Sequence, residues 1–218
     1  MNVTIAESLK AMWPETALGL LEYEVEVEAS SDDLLDAFEC KIVELGDQYT
    51  MDSIADNLHI ESTRLAYKVL GKNPHEYRNA AEAMLRRVVK GSGLYHINNV
   101  VEVNNLISIS SGYSIGSYDV AELQGDVELR RAEDGAHYDG IGKSSVNIGF
   151  LPVLHDDLGP FGNPSSDSQR AMIQKGKRTV MSVLYSFDGQ EDLAYWMDQF
   201  EEELKKYCGV TEVKKTIV

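Results

Sequence analysis

Hydrophobic and polar residues alternate strictly along LEYEVEVE, residues 21–28. Leu21, Tyr23, Val25 and Val27 fall on one side of an extended chain, and four glutamates fall on the other. Strict alternation is typical of a strand that buries one face and exposes the other to water. The pattern therefore predicts a half-buried antiparallel strand with a solvated acidic face.

Further along the chain the apolar spacing becomes helical. SSDDLLDAFECKIVELG combines a Ser/Asp start with helical spacing and a closing glycine, which predicts a capped helix. HEYRNAAEAMLRRVVKG predicts a long helix from His75 to Gly91, and EDLAYWMDQFEEELKKYCG predicts a final amphipathic helix closed by Gly209. RTVMSVLYSF is a buried strand candidate, VELRRAEDG and VNIGFLPVL have strand character, and SSGYSIGSYD and DDLGPFGNPSSDSQR are expected to be loops.

The stretch INNVVEVNNL, residues 97–106, carries two asparagine pairs. As a helix it places Asn99 at the N-cap with Glu102 three residues on, which predicts a capping box. Asn104 and Asn105 are then drawn toward partly buried faces, where a carboxamide needs hydrogen-bond partners. Two interpretations stay open: the second pair braces the following segment, or one of them binds a polar ligand.

Charge is distributed unevenly along the chain, whose net charge is −16. Residues 1–60 hold fourteen acidic and two basic residues, whereas residues 61–218 hold the other twenty-two acids and eighteen bases. Phosphate binding needs a basic surface, so a general nucleic-acid surface is not expected. Two local basic clusters remain possible sites, one at Arg86, Arg87 and Lys90 and one between Arg170 and Arg178.

Several kinds of chemistry lack support in the sequence. DGIGKSS resembles a phosphate-binding loop, but His137 stands where the motif needs glycine, and strand-like sequence follows it. The five histidines show no metal-ligand spacing, no serine lies in a GxSxG motif, and the two cysteines are expected to be free thiols in a reducing cytoplasm. No metal or cofactor is therefore expected. No apolar run or leader pattern predicts a membrane span or secretion.

FGNPSSDSQR, residues 161–170, concentrates glycine, proline and hydroxyl groups. One interpretation is a turn followed by a helix cap. The other is a ligand-facing loop, because glycine lets the backbone approach a ligand closely and free N–H groups stabilise developing negative charge.

INNVVEVNN, followed by GYSIGSYD and then GDVELRRAEDG, resembles the B3/B4 domain of the bacterial phenylalanyl-tRNA synthetase β chain over roughly residues 74–187. FGNPSSDS resembles the corresponding loop of free-standing members of that family. The resemblance implies an α+β fold whose β-sandwich-like core is flanked by helices. It also divides the chain into an acidic αβ extension packed on the core (1–73) and the B3/B4-like domain with its final helix (74–218). In the synthetase this domain hydrolyses tyrosine from mischarged tRNA.

The sequence departs from the family pattern at three places. Asn104 replaces a threonine, Ser114-Ile115-Gly116 lacks the family's histidine, and RTVMSVLYSF lacks the acid that recognises the tyrosine hydroxyl. The chain also has no room for an aminoacylation domain. We therefore expect a different amino-acid specificity from that of the synthetase domain, with Asn104 as the residue that changes it.

The resemblance implies a site without a catalytic side chain of assured role. Asn104 and Asn105 would position polar groups, Gly162, Ser165 and Ser166 would lie against the ester carbonyl, and Asp119 or Asp167 would hold the α-amino group. The full set of predicted substrate-binding residues is Asn104, Asn105, Ser114, Gly116, Asp119, Phe161, Gly162, Ser165, Ser166 and Asp167. The predicted tRNA phosphate contacts are Arg170, Lys175, Lys177 and Arg178.

Three functions follow from this resemblance. The first is hydrolysis of mischarged aminoacyl-tRNA in trans. The second is non-catalytic binding of tRNA or an amino acid, and the third is reuse of the pocket for a small amino-acid-like metabolite.

Overall fold

The computed structural model describes residues 1–218 and contains six α-helices and ten strands. The helices are Glu7–Met12 (α1), Asp32–Gln48 (α2), Leu58–Leu70 (α3), Ala80–Val89 (α4), Asn99–Ser111 (α5) and Leu193–Cys208 (α6). The strands are Val3–Ile5 (β1), Ala17–Val27 (β2), Ser114–Asp119 (β3), Val127–Arg131 (β4), His137–Tyr138 (β5), Val146–Asn147 (β6), Pro152–Asp156 (β7), Gly159–Gly162 (β8), Gly176–Ser186 (β9) and Val213–Ile217 (β10). None of the helices combines the length and apolar character needed to cross a bilayer.

Two four-stranded sheets form the core of the molecule. The first sheet has the order β1-β4-β7-β8, and the second has the order β10-β2-β9-β3. Leu129 and Leu154 of the first sheet pack in one apolar cluster with Tyr118 and Val183 of the second. Helices α5 and α6 pack on the other face of the second sheet. The α+β prediction of a sandwich-like core flanked by helices is confirmed.

The alternating sequence forms the second half of β2 up to Val27, as its pattern predicted, and Glu28 follows the end of the strand. Tyr23 and Val25 are buried beneath α5 and α6, whereas Glu24 and Glu26 are exposed. β2 is antiparallel to both β9 and β10 and lies between them. Residues 1–73 therefore supply an interior strand of the second sheet. The predicted domain boundary at residue 73 stays a prediction.

Two segments predicted to be loops contain strands. Ser114–Asp119 is β3, the edge strand of the second sheet, and Gly159–Gly162 is β8, the edge strand of the first. Local glycine and serine favour turns, but tertiary packing overrides that preference. In β3, Ile115 packs with the helices and Tyr118 packs between the sheets. The helix predicted from His75 begins later, at Ala80, because Asn79 caps it by accepting a hydrogen bond from the backbone of Glu82.

Helix α5 begins one residue earlier than the capping pattern predicted. The N-cap is Asn98, whose Oδ1 accepts the backbone N–H of Val101 at 2.9 Å. Glu102 still turns back, but its carboxylate accepts the N–H of Ile97. Asn99 instead joins the helix to the end of β2, where its carboxamide bonds the backbone of Glu28. The predicted cap at Asn99 is therefore wrong by one position, because that side chain is used between elements.

Replacing Asn98 with Ala is expected to lower the free energy of unfolding by about 1 kcal/mol, the usual effect of losing an N-cap side chain. The physical reason is that the Val101 N–H loses its acceptor. Asn98→Asp keeps an oxygen acceptor and favours the positive end of the helix dipole, so it should retain most of the stability. Urea denaturation of the three proteins measures the difference. Equal losses for Ala and Asp would contradict the capping role.

Candidate functional site

Asn104 lies in a buried polar network between α5 and the second sheet. Its Nδ2 donates to the carbonyl of Ile115 at 3.3 Å, and its Oδ1 accepts from the Ser117 hydroxyl at 3.0 Å. The network continues from Ser117 to Ser182 at 2.8 Å and from Ser182 to the Tyr23 hydroxyl at 2.9 Å. Both polar ends of Asn104 therefore brace the helix against β3.

Asn105 is the half-buried neighbour of Asn104 on α5. Its Oδ1 accepts from Asn104 Nδ2 at 3.3 Å, and its Nδ2 donates to no protein atom. Of the two carboxamides, Asn105 is thus the one that keeps a donor for a ligand. No hydrogen bond in the structure joins this pair to the loop at residues 161–167.

Gly116 and Gly162 face each other across a narrow space between the two sheets. A Cβ atom added to either glycine would lie 2.0 Å or 2.2 Å, respectively, from the hydroxyl oxygen of Tyr118. Phe161 packs edge-on against the same phenol, with ring centroids 5.0 Å apart. Gly116 and Gly162, both predicted to bind substrate, therefore lie against the protein's own tyrosine.

The Tyr118 hydroxyl donates a 2.6 Å hydrogen bond to the carboxylate of Asp167 and lies 2.7 Å from the Tyr185 hydroxyl. The Asp167 residue is half-buried, but its carboxyl group is enclosed. Desolvation raises the pKa of Asp167 to about 7, although the Tyr118 hydroxyl and the backbone of Asn163 favour its charged form. Burial raises the pKa of both tyrosines as well. This carboxyl group is therefore poised to hold a proton near neutral pH.

The loop after β8 is held by Asn163. Its Oδ1 accepts the backbone N–H groups of Ser165 at 2.8 Å and Ser166 at 3.1 Å. The Ser165 hydroxyl lies 2.8 Å from the Tyr67 hydroxyl, and the carbonyl of Ser166 accepts from Tyr138. The two serine amides are thus already bonded. The Ser166 hydroxyl forms no hydrogen bond within the protein, and the Ser165 hydroxyl can donate to a ligand while it accepts from Tyr67.

Ser165 and Ser166 open onto a polar cleft of about 480 Å³, which we call the Ser165 cleft. Its wall combines basic groups and hydroxyls with a few apolar side chains. The cleft is lined by Glu76, Tyr77, Arg78, His137, Lys143, Ser145, Val146, Asn147, Leu151, Ser165 and Ser166. Apart from Leu151, which directly precedes β7, these residues come from the segment before α4, the β5–β6 hairpin and the loop after β8.

His137 offers the Ser165 cleft a nitrogen base. Its Nδ1 lies 2.6 Å from the carbonyl oxygen of Gly135. A carbonyl only accepts, so Nδ1 carries the proton and the neutral ring keeps Nε2 free as an acceptor. His137 was not predicted to lie in a site, because in the sequence it stood out only as a departure from a P-loop and as one of five histidines without metal-ligand spacing. Nothing in its local sequence indicates the cleft.

Arg78 lies above a buried charge cluster centred on Glu82, whose side chain is fully buried. Arg64 donates to both Glu82 oxygens at 2.9 and 3.0 Å, and Arg86 donates at 2.9 Å. The Arg78 Nε is 3.7 Å from the same carboxylate, beyond hydrogen-bond distance. Three guanidinium groups therefore surround one carboxylate at the start of α4.

The predicted phosphate contacts are divided between paired and exposed residues. Arg170 forms an ion pair with the buried Asp156 at 2.8 Å, and Arg178 lies 3.2 Å from Asp119. Lys175 and Lys177 are exposed.

Asp119 has a structural role besides its pairing with Arg178, because its carboxylate also caps a short 3₁₀ helix by accepting the Ala121 N–H. Ser114, another predicted substrate contact, is buried, and its hydroxyl accepts a hydrogen bond from the backbone N–H of Ala81 at the N-terminus of α4.

The predicted substrate-binding residues are thus not gathered in one place. Phe161, Gly162, Asp167 and Gly116 surround Tyr118, Ser165 and Ser166 line the cleft, and the remaining residues lie elsewhere.

Fold and site together define an α+β protein with two stacked sheets, flanking helices and a polar cleft beside a Gly-Asn-Pro-Ser-Ser loop. A family model described as the B3/4 domain matches residues 62–190, more than half of the chain. The chain belongs to the B3/4 domain family, and the resemblance to this tRNA-synthetase-related domain is confirmed.

One similar solved structure is an N-terminal fragment of the phenylalanyl-tRNA synthetase β-subunit from Pyrococcus horikoshii. The two chains share 12% identity with a TM-score of 0.47, and the alignment covers 99% of this chain. It covers 54% of the fragment, so the chain spans about half of that structure's length. No curated protein matches the chain.

Proposed function

We propose that this protein binds the aminoacyl 3′ end of tRNA in the Ser165 cleft and hydrolyses the ester of mischarged aminoacyl-tRNA in trans, in the cytoplasm. One observation carries the proposal. Ser165 and Ser166, which the family resemblance assigns to the ester carbonyl, line an open cleft together with basic side chains and the free Nε2 of His137. Family membership supports the substrate class.

The reaction needs little beyond a placed water, because an aminoacyl ester is already activated. His137 Nε2 takes a proton from the water as its oxygen bonds to the ester carbonyl carbon. The serine amides are bonded to Asn163, so the hydroxyls of Ser165 and Ser166 donate to the oxyanion instead. When the tetrahedral intermediate collapses, the C–O bond to ribose breaks and the ribose oxygen recovers the proton from the imidazolium.

A second candidate function is non-catalytic binding of tRNA or an amino acid. Two observations favour it. Asn163 occupies the loop amides that would stabilise an oxyanion, and Tyr118 fills the space between Gly116 and Gly162. Reuse of the cleft for a small amino-acid-like metabolite is the third possibility. This third function differs from the first two because it needs no tRNA binding.

We expect the wild-type protein to release amino acid from at least one member of a panel of aminoacyl-tRNAs faster than the spontaneous rate. His137→Gln should lower that rate about 10²-fold, the lower end of what a general base contributes. Release of radiolabelled amino acid gives the measurement.

His155→Gln is the matched control for His137→Gln. His155 Nδ1 bonds the carbonyl two residues before it, at Val153, as His137 Nδ1 bonds Gly135, but His155 lies on β7 outside the cleft. Equal rates for the two variants would exclude His137 as the base. If no charged tRNA is cleaved but uncharged tRNA still binds, the result favours non-catalytic tRNA binding over deacylation. If the protein neither cleaves nor binds tRNA, binding of a small metabolite is the function that remains.

A further inference from the structure

The Ser165 cleft has the opposite charge balance to the protein as a whole. The chain carries a net charge of −16, yet the ionised side chains of the cleft wall are Arg78, Lys143 and a single acid, Glu76. Glu76 is partly engaged, because its carboxylate accepts from Asn73 Nδ2 at 3.0 Å. A concave surface that keeps positive charge on an acidic protein is suited to concentrate an anion.

Arg78 has its hydrogen-bonding capacity free. Its side chain is 43% exposed and makes no hydrogen bond within the protein. The nearest carboxylate, Glu82, is already taken by Arg64 and Arg86. Three guanidinium groups against one carboxylate leave two positive charges unbalanced. The planar fork of an arginine in this state matches the geometry of a phosphate oxygen pair.

Lys143 supplies the second cation of the cleft. It is exposed on the β5–β6 hairpin and its ammonium group forms no ion pair. A third cation, Lys72, lies behind the wall and is buried. Its Nζ donates to both oxygens of Asn147 at 3.2 Å and to the Gly149 carbonyl at 2.8 Å. Lys72 thus fixes Asn147, a residue of the cleft wall, and places a third cation behind that wall.

We propose that Arg78 and Lys143 form a phosphate subsite of the Ser165 cleft, with the hydroxyl of Ser145 as a further donor. The ligand is a nucleotide phosphate group, either the last phosphodiester of an RNA 3′ end or the phosphate of a free nucleotide. The RNA form rests on the proposed function, whereas the free nucleotide does not. The subsite takes over a role that Arg170 and Arg178 are poorly placed to fill, since each is paired with an aspartate.

Binding of adenosine 5′-monophosphate, adenosine and a short single-stranded RNA ending in CCA, each titrated into the full chain, tests the subsite. Adenosine 5′-monophosphate should bind at least tenfold more tightly than adenosine, because charge-assisted bonds to phosphate are the strong ones. Arg78→Gln and Lys143→Gln should each weaken the nucleotide about tenfold. Lys214→Gln, a matched loss of one charge on β10 outside the cleft, should leave binding unchanged.

The RNA separates the two sources of phosphate. If it binds, each cleft variant should reduce the slope of log affinity against log salt by about 0.7, the value for one single-strand phosphate contact. Binding of the nucleotide without the RNA assigns the subsite to free nucleotides. Equal affinity for adenosine and its monophosphate, no binding of either charged probe, or loss of affinity in Lys214→Gln alone would overturn the proposal. None of these measurements depends on deacylation, so failure of the hydrolase proposal leaves them interpretable.

Discussion

Replacing Glu82 with Gln is expected to lower the free energy of unfolding by about 3–5 kcal/mol, the usual result of removing one partner from a buried ion cluster. The side chain of Glu82 is fully buried, and its carboxylate oxygens accept hydrogen bonds from the guanidinium groups of Arg64 and Arg86. The amide of Gln keeps one acceptor but brings an N–H₂ group against those donors. The arginines, whose side chains are only 17% and 25% exposed, would lose the charge that compensates them.

Urea denaturation of the wild type, Glu82→Gln and Glu61→Gln measures this effect. Glu61 is exposed on α3 and forms no ion pair, so its substitution removes the same charge at a site where we expect a change within about 0.5 kcal/mol. A loss for Glu82→Gln no larger than that of Glu61→Gln would show that the cluster is not a stabilising centre. The result also matters for the cleft, because Glu82 anchors the cluster that includes Arg78.

The elements whose hydrophobic residues recur with a clear period were predictable from the sequence. The alternation in the second half of β2 and the apolar spacing of α6, closed by Gly209, match the structure because each of these segments buries one face against a single layer. β3 was not predictable, because its glycine and serines favour turns and its strand form depends on pairing with β9, more than sixty residues away. The N-cap of α5 was predicted one residue too late, because Asn98 and Asn99 have the same side chain and stand side by side in the sequence. Only the contact of Asn99 with Glu28 distinguishes them.

The site was predictable only in part, for a similar reason. The family resemblance indicated Ser165 and Ser166, which do line a cleft. Arg78 and His137 reach that cleft from segments about thirty to ninety residues away in the chain, so no local spacing connects them. The basic residues from Arg170 to Arg178 were predicted to contact phosphate, yet Arg170 forms an ion pair with Asp156. That pairing depends on the tertiary fold and is not indicated by the local sequence.

Two glutamates of the acidic first third of the chain stand opposite lysines in the second sheet. Glu22 of β2 stands opposite Lys214 of β10, and Glu26 of β2 stands opposite Lys177 of β9. Opposite charges on facing strands contribute to sheet pairing. Part of the negative charge near the N-terminus is therefore balanced by basic strands late in the chain, and Lys177 faces a carboxylate as well as solvent.

Stability is expected to fall as the pH rises from about 4 to about 7, by roughly 2–4 kcal/mol from Asp167 alone, at 1.36 kcal/mol per pKa unit and with a reduction for its partial exposure. Desolvation raises the pKa of this carboxyl group from 3.8 to about 7 in the folded protein. Below the lower value both states are protonated. Between the two values the unfolded chain loses its proton while the folded protein keeps it, so unfolding becomes more favourable. Above the higher value both are ionised and the difference is constant.

Asp167→Asn should remove this part of the pH dependence, because an amide does not titrate and its oxygen still accepts from the Tyr118 hydroxyl. Urea denaturation between pH 4 and pH 8 should therefore show a flatter profile for Asp167→Asn than for the wild type. Asp139→Asn is the control, since Asp139 is exposed and should follow the wild-type profile. Parallel profiles for the wild type and Asp167→Asn would show that the enclosed carboxyl group is ionised throughout.

The raised pKa of Asp167 also affects substrate binding, because a protonated Asp167 offers no charge to an α-amino group. Its predicted role in holding that group is therefore restricted to pH values above about 7.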